Sequence, residues 1–223
     1  MFDFHRHINN SNILSDAFYC TSSIEEWFYN KPISLGLLFN HKIYEKDDLD
    51  KILTILEEKL ITNENYQIGE IGLDKRFNQI DLQEYFLIKC INLSNKYNRI
   101  LTIHCVKGYG LLIDLLKINK EKMGPLTIIH GFTSSFEIAK QLAQLNILIS
   151  INDTFLRTKS FKRISDFDEL GFLVESDWDK INDDNYRSTF DKFINELDKT
   201  GIKKYKEFNN EYRTILKNFS SYR

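Results

Sequence analysis

Residues 67–73 read QIGEIGL, a short apolar run with one carboxylate, Glu70, in its middle. A run of this length between polar segments is typical of a β-strand. Charged residues are almost never fully buried without a partner. The stretch therefore predicts a strand whose single acid faces a partner from elsewhere in the chain.

Similar apolar runs recur along the sequence, separated by amphipathic segments. Strands are predicted at 2–8, 33–39, 67–73, 100–106, 126–132, 147–151 and 172–177. Helical periodicity predicts helices over 47–60, 81–97 and 134–145, and near 183–198 and 203–219. The third of these helices begins with a predicted capping box from Ser134 to Glu137. Alternation of strand and helix predicts parallel strands, here as a trimmed or irregular TIM-type (β/α) barrel in a single domain over 1–223.

The composition narrows the class of protein. Hydrophobic residues make up 42% and charged residues 28%, and the net charge is -2. This balance argues against a protein that coats long duplex DNA by charge alone, but a nuclease with a metal site stays open. Three cysteines without C-x-x-C spacing predict a reducing, cytoplasmic setting. No signal peptide or membrane-spanning run is recognisable, so no membrane association is expected.

The histidines are placed unevenly. His5 and His7 are one residue apart on a predicted strand, so their side chains point to the same side. His104 and His130 lie toward the C-terminal ends of two further strands, whereas His41 falls in a loop. A lone His-x-His pair is more often structural than metal-binding, but four of five histidines on strands change that balance.

Two carboxylates join the four strand histidines. Glu70 lies inside a strand and Asp177 ends one, and the C-terminal ends of barrel strands form the active-site face. The converging set has six members: His5, His7, Glu70, His104, His130 and Asp177. Six ligands are too many for one tetrahedral zinc ion. They suit two divalent metal ions (Mg, Mn or Zn) that share a carboxylate, and such a centre is typical of hydrolysis.

Several motifs together resemble a known family. DFHRH, IGEIGLD, TIHCVKG, IIHGFTSS and VESD stand in the order and spacing of the TatD-type metal-dependent deoxyribonucleases, within the amidohydrolase-like barrels. The resemblance runs from residue 2 to about 180, and the closing segment 207–219 resembles the family's last helix.

The resemblance implies a role for each of the six residues. The implied roles are His5 and His7 as ligands of the first metal, Glu70 as the bridging carboxylate, His104 and His130 as ligands of the second metal, and Asp177 as the metal ligand that orients the attacking water.

Other positions depart from the family pattern. Gly36 is followed by LLFNH, where the family usually has Gly-x-His-Pro, and Asp177 is followed by Trp178-Asp179 instead of a small residue and proline. Lys107 stands where a basic residue, often arginine, is usual. These departures leave the metal ligands unchanged and fall on the substrate pocket.

Candidate substrate contacts come from loops at the catalytic face. Lys107 and Arg76 are expected to neutralise a phosphate, although Lys75 and Arg76 are as readily explained as solvated charges. Trp178 is open to stacking on a base or sugar or to packing at the rim. Asp74 is open to orienting a ligand or a basic neighbour, or to capping the turn.

These residues predict a metal-dependent exodeoxyribonuclease that trims nucleic-acid ends, most readily single-stranded DNA, with Asp177 and Glu70 catalytic. The alternative is a metal-dependent esterase or amidohydrolase, for example an aminoacyl-ester deacylase. A third reading is an inactive metal-binding barrel with an interaction role. The survival of all six ligand positions speaks against that third reading.

Overall fold

The strands of the barrel pair in chain order, each parallel to the next. The computed structural model describes residues 1–7, 16–29, 33–40, 42–179 and 185–219. His41 lies outside these ranges. The eight strands are β1 (Asp3–His7), β2 (Ala17–Cys20), β3 (Ser34–Leu35), β4 (Gln67–Asp74), β5 (Leu101–Val106), β6 (Thr127–Ile129), β7 (Ile147–Ile151) and β8 (Leu173–Val174).

The sheet curls until its last strand reaches its first. The Asp177 amide donates to the His5 carbonyl at 3.0 Å, and the His7 amide donates to the Trp178 carbonyl at 3.1 Å. The segment after β8 therefore joins β1, and eight parallel strands form a nearly closed barrel. The TIM-type barrel prediction is confirmed.

Helices connect the strands and cover the barrel. They are α1 (Lys46–Thr62), α2 (Ile80–Lys96), α3 (Tyr109–Ile118), α4 (Phe136–Ala143), α5 (Ile164–Leu170), α6 (Tyr186–Lys199) and α7 (Lys204–Phe219). Short 3-10 helices lie at Glu25–Phe28, Lys120–Lys122, Asp153–Arg157 and Lys159–Arg163. Among the helices that the structure describes, none is long and apolar enough to cross a bilayer.

Apolar faces of the helices pack on the strands as their periodicity predicts. The buried residues of α1 are those of the predicted stripe, namely Leu49, Ile52, Leu53, Leu56 and Leu60. The aromatic residues near the chain end also pack: Phe190 and Phe193 are buried on α6, and Tyr205 on α7 stacks on Phe172 with ring centroids 5.6 Å apart. The apolar faces of the helices thereby cover the barrel strands.

The structure corrects five details of the prediction. Strand β2 and helices α3 and α5 are additional, because β2 is too short to show a period and α3, YGLLIDLLKI, is too uniformly apolar. Strand β3 covers two residues of 33–39, because the Gly36 amide leaves the ladder and donates to Thr21 Oγ1 at 2.8 Å. The N-cap of α4 is Ser135 instead of Ser134, since the Ser135 hydroxyl accepts from the Ile138 amide.

Candidate metal centre

Glu70 stands at the centre of the predicted ligand set. Its Oε1 lies 2.7 Å from His104 Nδ1 and 2.7 Å from His130 Nε2. Its Oε2 lies 3.5 Å from His5 Nε2 and 3.5 Å from His7 Nε2. The buried acid thus has four imidazoles as its partners, and they come from three other strands. The structure brings these five side chains together.

Asp177, in the segment after β8, completes the set. Its Oδ1 lies 3.3 Å from His7 Nε2 and 3.8 Å from His5 Nε2. Its backbone has φ 52°, in the left-handed region that non-glycine residues seldom adopt. Non-glycine residues held there cluster at functional sites, and here the conformation turns the carboxylate towards the β1 histidines.

Several polar atoms at the centre are buried without a hydrogen bond among the described residues. They are both ring nitrogens of His5, Oε2 of Glu70 and Nδ1 of His130. Buried polar atoms are normally satisfied, and exceptions need an explanation. Imidazole nitrogen and carboxylate oxygen are ligand types for divalent ions.

The donor atoms are also close enough together to bind a metal. Ligand atoms of His5, His7 and Asp177 lie within 4.8 Å of one another, and so do those of His5, Glu70 and His130. The residues present therefore fit one or more divalent metal ions.

The carboxylates and imidazoles of the centre shift one another's pKa values. Burial alone would raise the pKa of Glu70, but His130 and His104 hold it well below its usual range. Burial would lower the pKa of His130, but Glu70 and Glu175 raise it well above the ordinary value. Without metal, protons on imidazoles thus balance the carboxylates, and a bound cation would replace them.

His5 and His7 differ although they are neighbours on β1. Burial and the nearby His130 lower the pKa of His5. Burial also disfavours the charged form of His7, but a hydrogen bond to Asp177 and the charge of Glu70 raise the pKa of His7 to about 9. His5 is therefore a neutral ligand at physiological pH, whereas His7 must lose a proton to bind a metal.

Glu175 is a further buried acid that the sequence reasoning missed. It is fully buried, accepts from the Gly131 amide at 2.7 Å and from the Ser150 hydroxyl, and lies 3.7 Å from His130 Nδ1. It supports His130 from the side away from Glu70. The argument applied to Glu70, that an acid in an apolar strand segment needs a partner, would have found Glu175 in VESD.

Asp74 and Arg76 form a second support, behind His104. The Arg76 guanidinium binds both Asp74 oxygens, with Nε–Oδ1 at 2.9 Å and Nη2–Oδ2 at 2.5 Å. His104 Nε2 lies 3.3 Å from Asp74 Oδ2. Asp74, left open by the sequence, therefore orients a predicted ligand through its second ring nitrogen, as outer carboxylates do at metal sites.

The centre opens into a cavity of about 310 Å³. Beyond the ligands, its wall contains Ser22, Glu26, Leu38, Asn40, Arg76 and Asp179. Leu38 and Asn40 belong to the segment where the family has its His-Pro, and Asp179 to the altered segment after Asp177. The departures from the family pattern thus line the cavity.

The two predicted phosphate contacts have different positions. Arg76 lines the cavity, whereas Lys107, with φ 57°, is exposed after β5 and is not part of that wall. Trp178 is 8% exposed, and its ring meets that of Tyr186 edge-on at 6.0 Å. This geometry corresponds to packing, the second of the two readings of Trp178.

Comparison with known proteins identifies the family. Residues 24–219 match the family described as TatD related DNase. The chain belongs to this family. The match covers most of the barrel, from the loop after β2 to the end of α7.

Individual TatD relatives are distant. An uncharacterized metal-dependent hydrolase of Methanocaldococcus jannaschii is 27% identical over 149 residues, 66% of this chain and 56% of the relative. One of Haemophilus influenzae is 24% identical over 141 residues, 60% of this chain and 52% of the relative. The chain therefore spans about half the length of the curated relatives it matches.

A solved TatD homolog has the same fold. The crystal structure of YjjV from Escherichia coli K12 superposes with a TM-score of 0.54 and 23% sequence identity, covering 74% of this chain and 59% of YjjV. At this identity the likeness establishes the TatD barrel architecture and nothing finer.

Proposed function

We propose that the chain is a metal-dependent phosphodiesterase that trims single-stranded DNA from its ends. The observation that carries the proposal is the convergence of four imidazoles and two carboxylates at the bottom of an open cavity with an arginine on its wall. The curated relatives are named uncharacterized metal-dependent hydrolases, and the family is described as TatD related DNase.

The ligands divide into two groups that share Glu70. His5, His7 and Asp177 would hold one ion, His104 and His130 a second, and Glu70 would bridge them. Bound divalent ions polarise a phosphoryl oxygen and lower the pKa of coordinated water. Zinc, magnesium and manganese all accept these ligand types.

Asp177 orients the attacking water in this proposal. Burial would raise the pKa of Asp177, but His7 and the other imidazoles hold it below its usual range. The carboxylate is therefore ionised at neutral pH and accepts a hydrogen bond from water. Asn152 Nδ2 lies 3.5 Å from Asp177 Oδ2 and limits rotation of the carboxylate.

Arg76 is the cation that faces the substrate phosphate. Its side chain is 52% exposed, and Asp74 fixes the guanidinium from one side. A fixed guanidinium presents its remaining N–H donors to phosphate oxygens in a set geometry. Lys107, exposed at the end of the neighbouring strand, adds positive charge at the rim.

The cavity size favours a single strand. A volume of about 310 Å³ is at the lower end of the range for small-molecule sites, roughly 300–1,000 Å³. One terminal nucleotide fits such a space better than a double helix does. We therefore expect nucleotides to be released one at a time from a free end.

The test is a gel of an end-labelled single-stranded oligonucleotide beside a closed circular duplex, with magnesium, manganese or zinc added to the purified protein. The expected result is a ladder that ends in mononucleotides, an intact circle and full loss of activity with chelator. The Asp177→Asn variant should show a ladder only at much higher enzyme concentration or longer times, whereas Asp191→Asn on the surface of α6 should match the wild type. Rapid nicking of the circle would refute end trimming.

A second candidate, hydrolysis of an amine-bearing carboxylic ester such as an aminoacyl ester, is favoured by the acids on the cavity wall. Glu26 and Asp179 line the same cavity as Leu38 and Asn40, and carboxylates suit an ammonium group. Turnover of an aminoacyl ester with no cleavage of any nucleic acid would select this candidate. Metal binding without turnover of either substrate would select the inactive barrel.

A further inference from the structure

Basic side chains follow neighbouring strands on one side of the cavity. Lys75 and Arg76 follow β4, and Lys107 follows β5. The Lys75 amide donates to the Val106 carbonyl at 3.1 Å, so the ends of these two strands lie side by side. All three cationic side chains are exposed.

A second basic group follows β7 on the same face of the barrel. The segment RTKSFKR (157–163) runs through the two 3-10 helices between β7 and α5 and contains four cations and no acid. The four are Arg157, Lys159, Lys162 and Arg163, and all are exposed.

The helix that leads into this segment begins at the metal centre, and the segment is fixed in place. Asn152, which contacts Asp177, caps the first turn of the 3-10 helix Asp153–Arg157 by accepting from the Thr154 amide at 3.0 Å. The Ser160 hydroxyl donates to the Ser134 carbonyl at 2.8 Å, which ties the segment to the loop after β6. The lysines are therefore presented from an ordered rim of the cavity.

Two of the four cations are already paired. Arg157 binds Asp153, and Arg163 binds Glu137 and Asp166. Within the part of the chain that the structure describes, no ion pair engages Lys159 or Lys162. Their charges are available to a ligand, together with those of Lys75 and Lys107.

The opposite side of the cavity has the opposite charge. Glu26, in the 3-10 helix after β2, and Asp179, after β8, line the wall there. The Ser22 amide donates to Glu26 Oε2 at 2.6 Å, which holds that carboxylate at the wall. A polyanion entering the cavity is attracted on the β4–β7 side and repelled on the β2–β8 side.

We propose that the basic rim, defined as Lys75, Lys107, Lys159 and Lys162, binds the phosphates that follow the scissile one, so that a single strand leaves the cavity over β4–β7. This inference rests on the proposed nucleic-acid substrate.

The test measures how salt weakens binding of a dye-labelled 12-nucleotide single strand, followed by fluorescence anisotropy with chelator present to stop cleavage. Each phosphate contact contributes about 0.7 to the slope of log affinity against log salt for single strands. Lys159→Gln/Lys162→Gln should reduce that slope by about 1.4. The matched control, Lys120→Gln/Lys122→Gln, removes the same charge before β6, at the other end of the barrel, and should keep the wild-type slope.

Equal slopes for the wild type and both double variants, an equal decrease in both variants, or no wild-type binding at 50 mM salt would each overturn the basic rim. Rim-dependent binding without cleavage would refute the proposed nuclease and leave the basic rim standing. Cleavage with equal slopes would refute the basic rim and leave the proposed nuclease standing.

Discussion

A methyl group at Gly36 would collide with the backbone of the central ligand. The added Cβ would stand 2.0 Å from the Glu70 nitrogen and 2.2 Å from the Glu70 oxygen, whereas ordinary contacts of a Cβ begin near 3.4 Å. Both opposing atoms are backbone, so no side-chain rotation relieves the contact. In Gly36→Ala, β3 and β4 must therefore separate by about 1 Å or more, because packed interiors offer no spare volume.

The separation should cost both stability and catalysis. Overpacking costs about 1–3 kcal/mol, and Thr21 hydrogen bonds to both strands, through Gly36 N at 2.8 Å and Glu70 N at 2.9 Å, are at risk at about 1 kcal/mol each. A total near 4 kcal/mol lowers Tm by roughly 8–16 °C for a chain of this size. A 1 Å displacement of Glu70 also breaks its 2.7 Å contacts, and such misplacement can reduce turnover about 100-fold.

Gly110→Ala is the matched control. Gly110 lies on the exposed side of α3, and a Cβ there would meet nothing within 4 Å. Alanine should stabilise that helix by about 0.5–1 kcal/mol. Thermal unfolding of both variants, with chelator and with added metal, gives opposite signs if the reasoning is right. A Gly36→Ala protein with wild-type Tm and a wild-type response to metal would refute it.

Three further perturbations address the centre directly. Glu70→Gln should lose metal on dialysis. It should also lose most of the metal-induced rise in Tm, since metal at 100 times its Kd stabilises the wild type by about 2.7 kcal/mol. Full metal content by elemental analysis would contradict the bridging role. Asp177→Asn should lower kcat by about 10²–10⁴ with little change in KM, because orientation of water is felt in the transition state; a change confined to KM would count against it. In chelator-treated protein, the raised pKa of His7 contributes stability that is complete below pH 6.5 and is lost as pH rises through about 9, up to about 3 kcal/mol. Urea unfolding from pH 6 to 9.5 should show this decline. His7→Gln should make the decline smaller and leave the part that comes from His104 and His130, whose pKa values are also raised.

The convergence of these side chains was predictable because strands impose a strict alternation. His5 and His7 had to share a side, and an acid inside QIGEIGL had to face partners, so their meeting with His104 and His130 follows from parallel strands alone. Position 70 could be assigned before any coordinates because burial of an unpaired charge is so costly.

Side-chain pairing on loops was not predictable in the same way. The bidentate contact of Arg76 with Asp74, and that acid's contact with His104, depend on how the turn after β4 folds back. Trp178 illustrates the same point, since Tyr186, which it meets edge-on, lies on a helix after the segment 180–184. Local sequence patterns predict which strand or loop carries a side chain, but not which residue from another element contacts it.

Closure of the barrel through His5 and Asp177 has a consequence for how the protein is made. The two residues that meet at 3.0 Å are separated by most of the chain, so the ligands on β1 leave the ribosome long before Asp177. At about 5–20 residues per second, β1 waits roughly 10–35 s with one edge unpaired. Exposed strand edges invite pairing with other chains. A nascent chain that captures metal through both residues must therefore already have brought β1 and the segment after β8 together.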